Sequence, residues 1–337
     1  MRRYLTLLGV VCVLLGAITS CKNTTKNLMP TVTGKAGEVL IVMNKALWEG
    51  GSGDTIKSMF SEAQVGLPQY EPLMDAMNVP PKAFTRMFRT HRSILQIRVS
   101  TKLKKGEIKI SKGQWAKGQS YMKVQAPNEK LLIDLIQENR NKILGYFVNG
   151  EKRRLMSVLN RRPEKKIYNQ LKKEQGFTIS CPAGYNINKD EGDFVWLSKE
   201  TPRTSQGLFI YSFDYKSQDY FAKEFLLKKR DSLLKANIPG PRAGSYMRTE
   251  RRFPVQFKQF SFKDNYAVEM RGLWKVENDF MGGPFLNINF LDKKNNRVIC
   301  LDGYVYYPNK DKRELLRELE AIMFTFEYHR KDGNTGS

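Results

Sequence analysis

Arg86, Arg89, His91 and Arg92 form the most compact basic knot in the chain. A guanidinium fork offers two parallel N–H donors, so such a knot suits a phosphate or a carboxylate. On an extended segment Arg86 and Arg92 share one face, and Arg89 and His91 share the other. The same charges would serve salt bridges within the fold, or an exposed edge strand. No Ser, Cys or second His stands in recognisable relation to His91, which therefore reads as a buried ring held by hydrogen bonds. Gly50-Gly51-Ser52-Gly53 lies between an apolar run and a helical pattern, where phosphate loops occur. No Lys-Ser/Thr pair follows it, and Asp54 would put negative charge where a phosphate belongs, so it reads as a tight turn with Asp54 as a helix cap. Asn186, Asn188, Asp190, Glu191 and Asp193 gather oxygens in one loop. An EF-hand frame from Asn186 puts Glu191 at the glycine position and Leu197 at the bidentate glutamate position, so a solvated polar turn is expected.

Metal and cofactor chemistry finds few ligands in this chain. It has 2 histidines and 4 cysteines, which argues against a His-rich metal site or an all-cysteine zinc site. No cofactor is expected, and no catalytic residue is assigned. The charge is the larger signal: 57 Lys and Arg against 34 Asp and Glu give +23 over 337 residues. It concentrates in two runs. Residues 86–117 hold ten Lys/Arg and one acid, Glu107; residues 152–173 hold nine and one acid, Glu164. Such faces attract polyanions over a screening length of about 8–10 Å. With 41% hydrophobic residues the chain can also bury a core, which excludes wholesale disorder.

The amino terminus reads as an export address. Arg2 and Arg3 precede a mostly apolar run from Tyr4 to Ala17, too short for the ~20 helical residues that span a bilayer. Ile18-Thr19-Ser20-Cys21 follows and resembles the bacterial lipobox, in which small side chains admit the signal peptidase and the cysteine thiol takes lipid (palmitate among its acyl groups). Residues 1–20 are thus expected to be a lipoprotein signal peptide and Cys21 the acylated amino terminus. The mature charge falls from +23 to +21 with the loss of Arg2 and Arg3. Lys22 after the cysteine favours the outer membrane, and the absence of an acidic pair favours its periplasmic face. Residues 21–34 read as a flexible tether. After processing, Cys181 and Cys300 are left, either as a disulfide formed in an oxidising compartment or as two separate buried thiols.

The elements that must position these groups follow from periodicity. Val39 to Met43 is a continuous apolar run and suits a buried strand. Ile56, Met59, Phe60 and Ala63 mark a helix after the glycines. The proline-rich stretch 67–81 reads as loop or short helix, residues 93–100 as a strand and 102–119 as hairpin. Asn128 caps a helix carrying Leu131, Leu132, Leu135, Ile136 and Ile143, and a further helix covers residues 151–161. A second unit opens near Gly176. It shows strands near 194–197, 208–213, 257–262, 267–274, 285–291 and 297–306, a long helix over 217–237, and a closing helix whose capping box is Asp311 and Glu314. The expected architecture is α+β: two α+β units at 35–175 and 176–328, each an antiparallel or mixed sheet packed with helices, and a mobile tail at 329–337.

Gly37-Glu38-Val39-Leu40, Trp48-Glu49-Gly50 and Phe88-Arg89-Thr90-His91-Arg92 resemble a family of Bacteroidota lipoproteins known as domain-of-unknown-function family 4837, a match reaching to about residue 328. That family brings no assigned activity and no catalytic residues. Residues 176–327 also resemble, more loosely, the PsbP-like α/β fold, through Phe177-Thr178-Ile179-Ser180-Cys181-Pro182, Arg271-Gly272-Leu273-Trp274 and Tyr307-Pro308. That resemblance implies a binding or assembly role rather than catalysis. The function expected is that of a non-enzymatic, lipid-anchored envelope protein. Its partners would be the bilayer, reached through acylated Cys21, and an anionic lipid, lipopolysaccharide, peptidoglycan or an acidic protein. An envelope hydrolase with a site assembled from distant residues is the alternative, and nucleic-acid binding a remote one. Nucleic acid is not expected, because no RNP aromatics, zinc finger or helix-turn-helix signature accompanies the charge.

Overall fold

A computed structural model describes residues 29–329; residues 1–28, where the signal peptide and acylated Cys21 are expected, and residues 330–337 lie outside the described residues. Two α+β units follow one another. The first holds β1 (Glu38–Val42), α1 (Lys45–Glu49), α2 (Gly51–Phe60), β2 (Asp75–Val79), the single turn α3 (Arg86–Arg89), β3 (Ser93–Val99), β4 (Glu107–Lys112), β5 (Ser120–Ala126), α4 (Glu129–Glu138) and α5 (Arg140–Arg161). α6 (Lys165–Gln170), which the expected boundary at 175 puts in the first unit, packs through Ile167 into the core of the second. The five strands of the first unit run in the order β2-β1-β3-β5-β4. The first four are parallel and only β4 pairs antiparallel, a mixed sheet. A central parallel strand is covered on both faces, which is why β1 is apolar from Val39 onward. Val39 and Ile41 pack under α2, α4 and α5, while Leu40 and Val42 face Phe84, Phe88 and Trp115.

The second unit is built on an eight-stranded antiparallel sheet: β7 (Asn186–Asp190), β8 (Phe194–Glu200), β9 (Ser205–Asp214), β10 (Met247–Thr249), β11 (Gln256–Phe262), β12 (Asn265–Val276), β13 (Gly282–Asp292) and β14 (Arg297–Tyr306). Short β6 (Phe177–Thr178) and β15 (Glu327–Tyr328) pair apart from it. Alternation along the strands splits the core in two. Leu286, Ile288, Ile299 and Leu301 pack against α8 (Arg313–Phe324). Phe285, Val298, Cys300 and Tyr304 pack against α7 (Lys223–Asn237).

That split decides the cysteines. Cys181 is buried in the α8-side core and Cys300 in the α7-side core, on opposite faces of the sheet. Both are free thiols, so the candidate disulfide does not form. Four further expectations need correction. Residues 75–79 form a strand, β2, against the expected loop or short helix. The helix assigned to 151–161 starts at Arg140 and takes Ile143 with it. The long helix from 217 is a 3₁₀ turn at Gln218–Phe221 and a helix from Lys223, separated by an extended Ala222. Nor is the chain free on both sides of the body. Thr33 exchanges backbone bonds with Thr90 and Arg92, and Lys117 N donates to Pro30 O. His329 N donates to Gly176 O, which ties down the first residue of the expected tail.

α5 joins the two units. Ile143, Leu144 and Phe147 belong to the core of the first, whereas Leu155, Met156 and Leu159 pack into the α8-side core of the second.

Candidate functional site: a basic groove beside the amino-terminal segment

The two basic runs of the sequence meet in space. α5 lies across the start of β5 and the β4–β5 turn, and residues 29–32 close the third side. The result is an open groove of about 690 Å³. Arg92, Lys112 and Lys117 reach it from the first run, and Arg153, Arg154 and Arg161 from the second. Among the described residues no carboxylate lines it.

A glycine sets the close approach of helix and strand. A Cβ at Gly150 would stand 2.2 Å from Ser120 Oγ, so any larger residue would displace that hydroxyl, which accepts from Arg154. The next residue, Glu151, is buried behind the groove. Arg92 Nη1 donates to its Oε2 at 3.2 Å, and Arg154 Nη2 donates to its Oε1. Arg154 uses its other donors as a staple, to Arg92 O at 3.1 Å, Gly118 O at 3.0 Å and the hydroxyls of Ser120 and Ser93 at 3.2 and 3.0 Å. Burial pulls its guanidinium pKa down and Glu151 opposes that pull. One carboxylate thus serves two guanidiniums, which leaves the floor of the groove with net positive charge. The Nε of Arg92 and the Nε of Arg154 are buried with no acceptor among the described residues. Around this floor Lys112, Lys117 and Arg153 are exposed, and among the described residues none has a carboxylate partner. Arg161 donates to Ser157 O, within its own helix.

The groove also has an apolar side. Met29 and Val158, 52% and 56% exposed, line it together with Val32 and the Tyr146 ring. The Tyr146 hydroxyl donates within reach of Ser111 O and Tyr121 O and accepts from Tyr121 N, so the ring is what this residue offers.

Of the compact knot, only Arg92 lines the groove. Residues 86–89 form one helical turn rather than an extended segment, so the expected sharing of faces does not arise. Arg86 is exposed, and Arg89 lies over the Trp115 ring at 6.0 Å. His91 is buried, with Nδ1 2.9 Å from Ser93 O and Nε2 3.6 Å from Glu38 Oε2. Gln119 ties the knot to the groove by donating to Arg89 O and His91 O while accepting from Trp115 N. The groove cations of α5 belong to the basic run 152–173, but sequence reasoning does not single out Glu151. The one available signal was a Gly-Glu pair inside an arginine-rich helix.

The other candidates resolve as structure. A Cβ at Gly53 would fall 1.9 Å from Trp48 O, so the glycine run serves the packing of α1 against α2. α2 starts at Gly51, with Asp54 in its first turn rather than at the cap, and Ser52 donates to Glu129. Asp190 accepts from Gln170 and Gln175. Among the described residues no group of three or more His, Cys, Asp or Glu could hold a metal. Nor is any described helix long and apolar enough to cross a membrane. A wider hollow of about 1240 Å³ at the far end of the second sheet mixes Glu174, Asp193 and Asp292 with Lys293, Lys294 and Arg297, so it presents no single charge.

The fold and this groove define an α+β protein of two units with a cationic cleft on the first. Its two units match two families in turn: residues 32–160 match Domain of unknown function (DUF8532) and residues 163–325 match Domain of unknown function (DUF4837). The chain thus carries two consecutive domains of unknown function. The resemblance to family 4837 holds for the second unit, whereas the residues 37–99 on which it was first drawn fall in the other family's domain. No curated protein matches the chain. Among solved structures, the Saccharomyces cerevisiae Ran-binding protein Mog1p is similar at 7% identity, over 45% of this chain and 90% of that one, with a TM-score of 0.31. A crystal structure from Bacteroides thetaiotaomicron VPI-5482 is similar at 14% identity over 46% of each chain, with a TM-score of 0.19.

Proposed function

We propose that the chain is a non-enzymatic envelope protein, held to the outer membrane by lipid on Cys21 and facing the periplasm, that binds an anionic envelope component in the groove between α5 and β5. The observation that carries this reading is the convergence of both basic runs on one cleft whose third wall is the segment leading back to Cys21. Eight peptide steps separate Cys21 from Met29 and reach at most about 29 Å. A body anchored at Cys21 would therefore carry its most basic cleft close to the bilayer surface. Cations so placed act on anionic surfaces individually and are screened by salt. His91, the side chain most suited to acid–base work, is engaged by Ser93 O and Glu38 instead of a nucleophile.

Two measurements test the reading. Radioactive palmitate should label the wild-type chain in a bacterial host and not Cys21→Ala; persistent labelling of the variant would refute the anchor. Protein lacking residues 1–21 keeps every described residue. It should sediment with vesicles containing phosphatidylglycerol and be released by salt, and Lys117→Gln with Arg153→Gln should weaken that binding roughly thirtyfold. Equal retention on neutral and anionic vesicles would refute the anion-binding half.

A further inference from the structure

A bare phosphate or a glycan carboxylate would use only half of this groove. Lys112, Lys117 and Arg153 supply a rim of cations free of carboxylates among the described residues. Met29, Val32 and Val158 line the same groove as an apolar wall, and Met29 and Val158 are more than half exposed to water. A small hydrated anion would engage the rim and leave the wall wet. A ligand with an anionic head and a hydrocarbon part would engage both, and each buried methylene adds to its affinity. A volume of about 690 Å³ holds a headgroup and the first part of its chains, within the usual range for small-molecule sites.

We infer that the groove seats one phosphate-headed lipid drawn from the bilayer. This inference rests on the proposed anchoring and anion-binding reading and adds the class of ligand. The position of the wall favours the bilayer as the source, because Met29 and Val32 belong to the stretch of chain that leads to Cys21. Charge argues against the chain's own segment 22–28 as the occupant: it carries Lys22 and Lys26 and no acid, and it would meet a rim of like charge.

The test uses the mature, acylated chain purified in a neutral maltoside detergent, with native mass spectrometry to count adducts. The probes are dioctanoyl phosphatidylglycerol, dioctanoyl phosphatidylcholine and glycerol phosphate. One phosphatidylglycerol should bind per chain, at least about tenfold more tightly than either other probe. Val158→Asn, at an exposed position, should weaken the lipid about fivefold and leave glycerol phosphate unchanged. Glycerol phosphate binding as tightly as the lipid would overturn the inference and leave the anion-binding reading standing. Phosphatidylcholine binding as tightly as phosphatidylglycerol would overturn it too. If no probe binds, both fall. If phosphatidylglycerol binds Cys21→Ala but not the acylated chain, the protein's own acyl chains fill the groove and the inference is wrong.

Discussion

Arg230 has no solvent exposure at all, and its environment shows what a buried cation requires. From α7 it reaches the sheet and donates to both oxygens of Asp302, Nε to Oδ2 at 2.7 Å and Nη2 to Oδ1 at 3.3 Å. Nη1 donates to Thr249 Oγ1 at 3.0 Å, and the guanidinium lies 4.0 Å from the centroid of Phe285. Burial pushes the Asp302 carboxyl above its usual range while the Arg230 fork pulls against it. Such a pair adds little net stability over a well-packed apolar pair, but breaking it strands a charge. Asp302→Asn should therefore destabilise the protein by about 3–5 kcal/mol in urea unfolding. Arg230→Met combined with Asp302→Leu should recover much of that loss. A single variant that unfolds like wild type would mean that water reaches Arg230. The free cysteines belong to the same scale. Burial raises the pKa of Cys300 beside this cluster, and also that of Cys181 across the sheet, so both act as small apolar groups rather than as a reactive pair.

At the scale of elements, the two units grip each other through a helix cap. Local sequence offers α8 a capping box in Asp311 and Glu314, yet no side chain of its own segment caps it. The first unit does so instead: Glu71 accepts from Lys312 N at 2.7 Å and from Arg313 N at 2.8 Å. Arg313 returns the contact, with Nη1 donating to Pro72 O and Nη2 to Asp75, and Arg317 donates to Leu73 O. A carboxylate on two orphan N–H groups at a helix start is worth about 2 kcal/mol. Glu71→Ala should lower the stability of the second unit by about that much, seen as earlier melting of the α8 amides in hydrogen exchange. Unchanged exchange there would show that α8 holds its start without the first unit. Sequence could not reveal this cap, because its donor and acceptor lie 241 residues apart. What it could reveal is local. The apolar run of β1, the Asn128 cap, whose side chain does accept from Leu131 N, and six of the eight strands of the second sheet sit where their periodicity places them, whereas polar β7 and the three-residue β10 give no such signal. β2 escaped because Asp75-Ala76-Met77-Asn78-Val79 is a half-exposed edge strand among prolines. The first turns of α5 escaped because Gly145 and Gly150 weaken a helical pattern that packing then restores. The groove was half legible: both basic runs stand out along the chain, but their meeting depends on the sheet order that puts β5 beneath α5.

For the molecule as a whole, α5 is shared property. Its early residues sit in the first core and its later ones in the second, so whatever orients α5 orients the groove. The strongest fixed point is Glu320 of α8, which accepts from Lys152 of α5 at 3.1 Å and from Arg271 of β12 at 3.0 Å. Burial pushes its carboxyl up, but Arg271 and Lys152 outweigh burial and hold it at about 2, against 4.5 for a free glutamate. A carboxylate depressed on folding stabilises the protein fully above the unfolded value and loses that contribution as pH falls through the folded one. The contribution here should be on the order of 3 kcal/mol at pH 7, fading between about pH 4.5 and pH 2. Wild type and Glu320→Gln should thus differ by that amount in urea unfolding at neutral pH and converge near pH 2. A gap that stays constant across that range would mean that shape, and not charge, is what Glu320 supplies. Because Lys152 is next to Arg153 and two residues before Arg154, loss of the Glu320 contact should also loosen the rim of the groove. Binding of the Glu320→Gln chain to phosphatidylglycerol vesicles should then weaken at pH 7, while wild-type binding should fall only once acid has protonated Glu320.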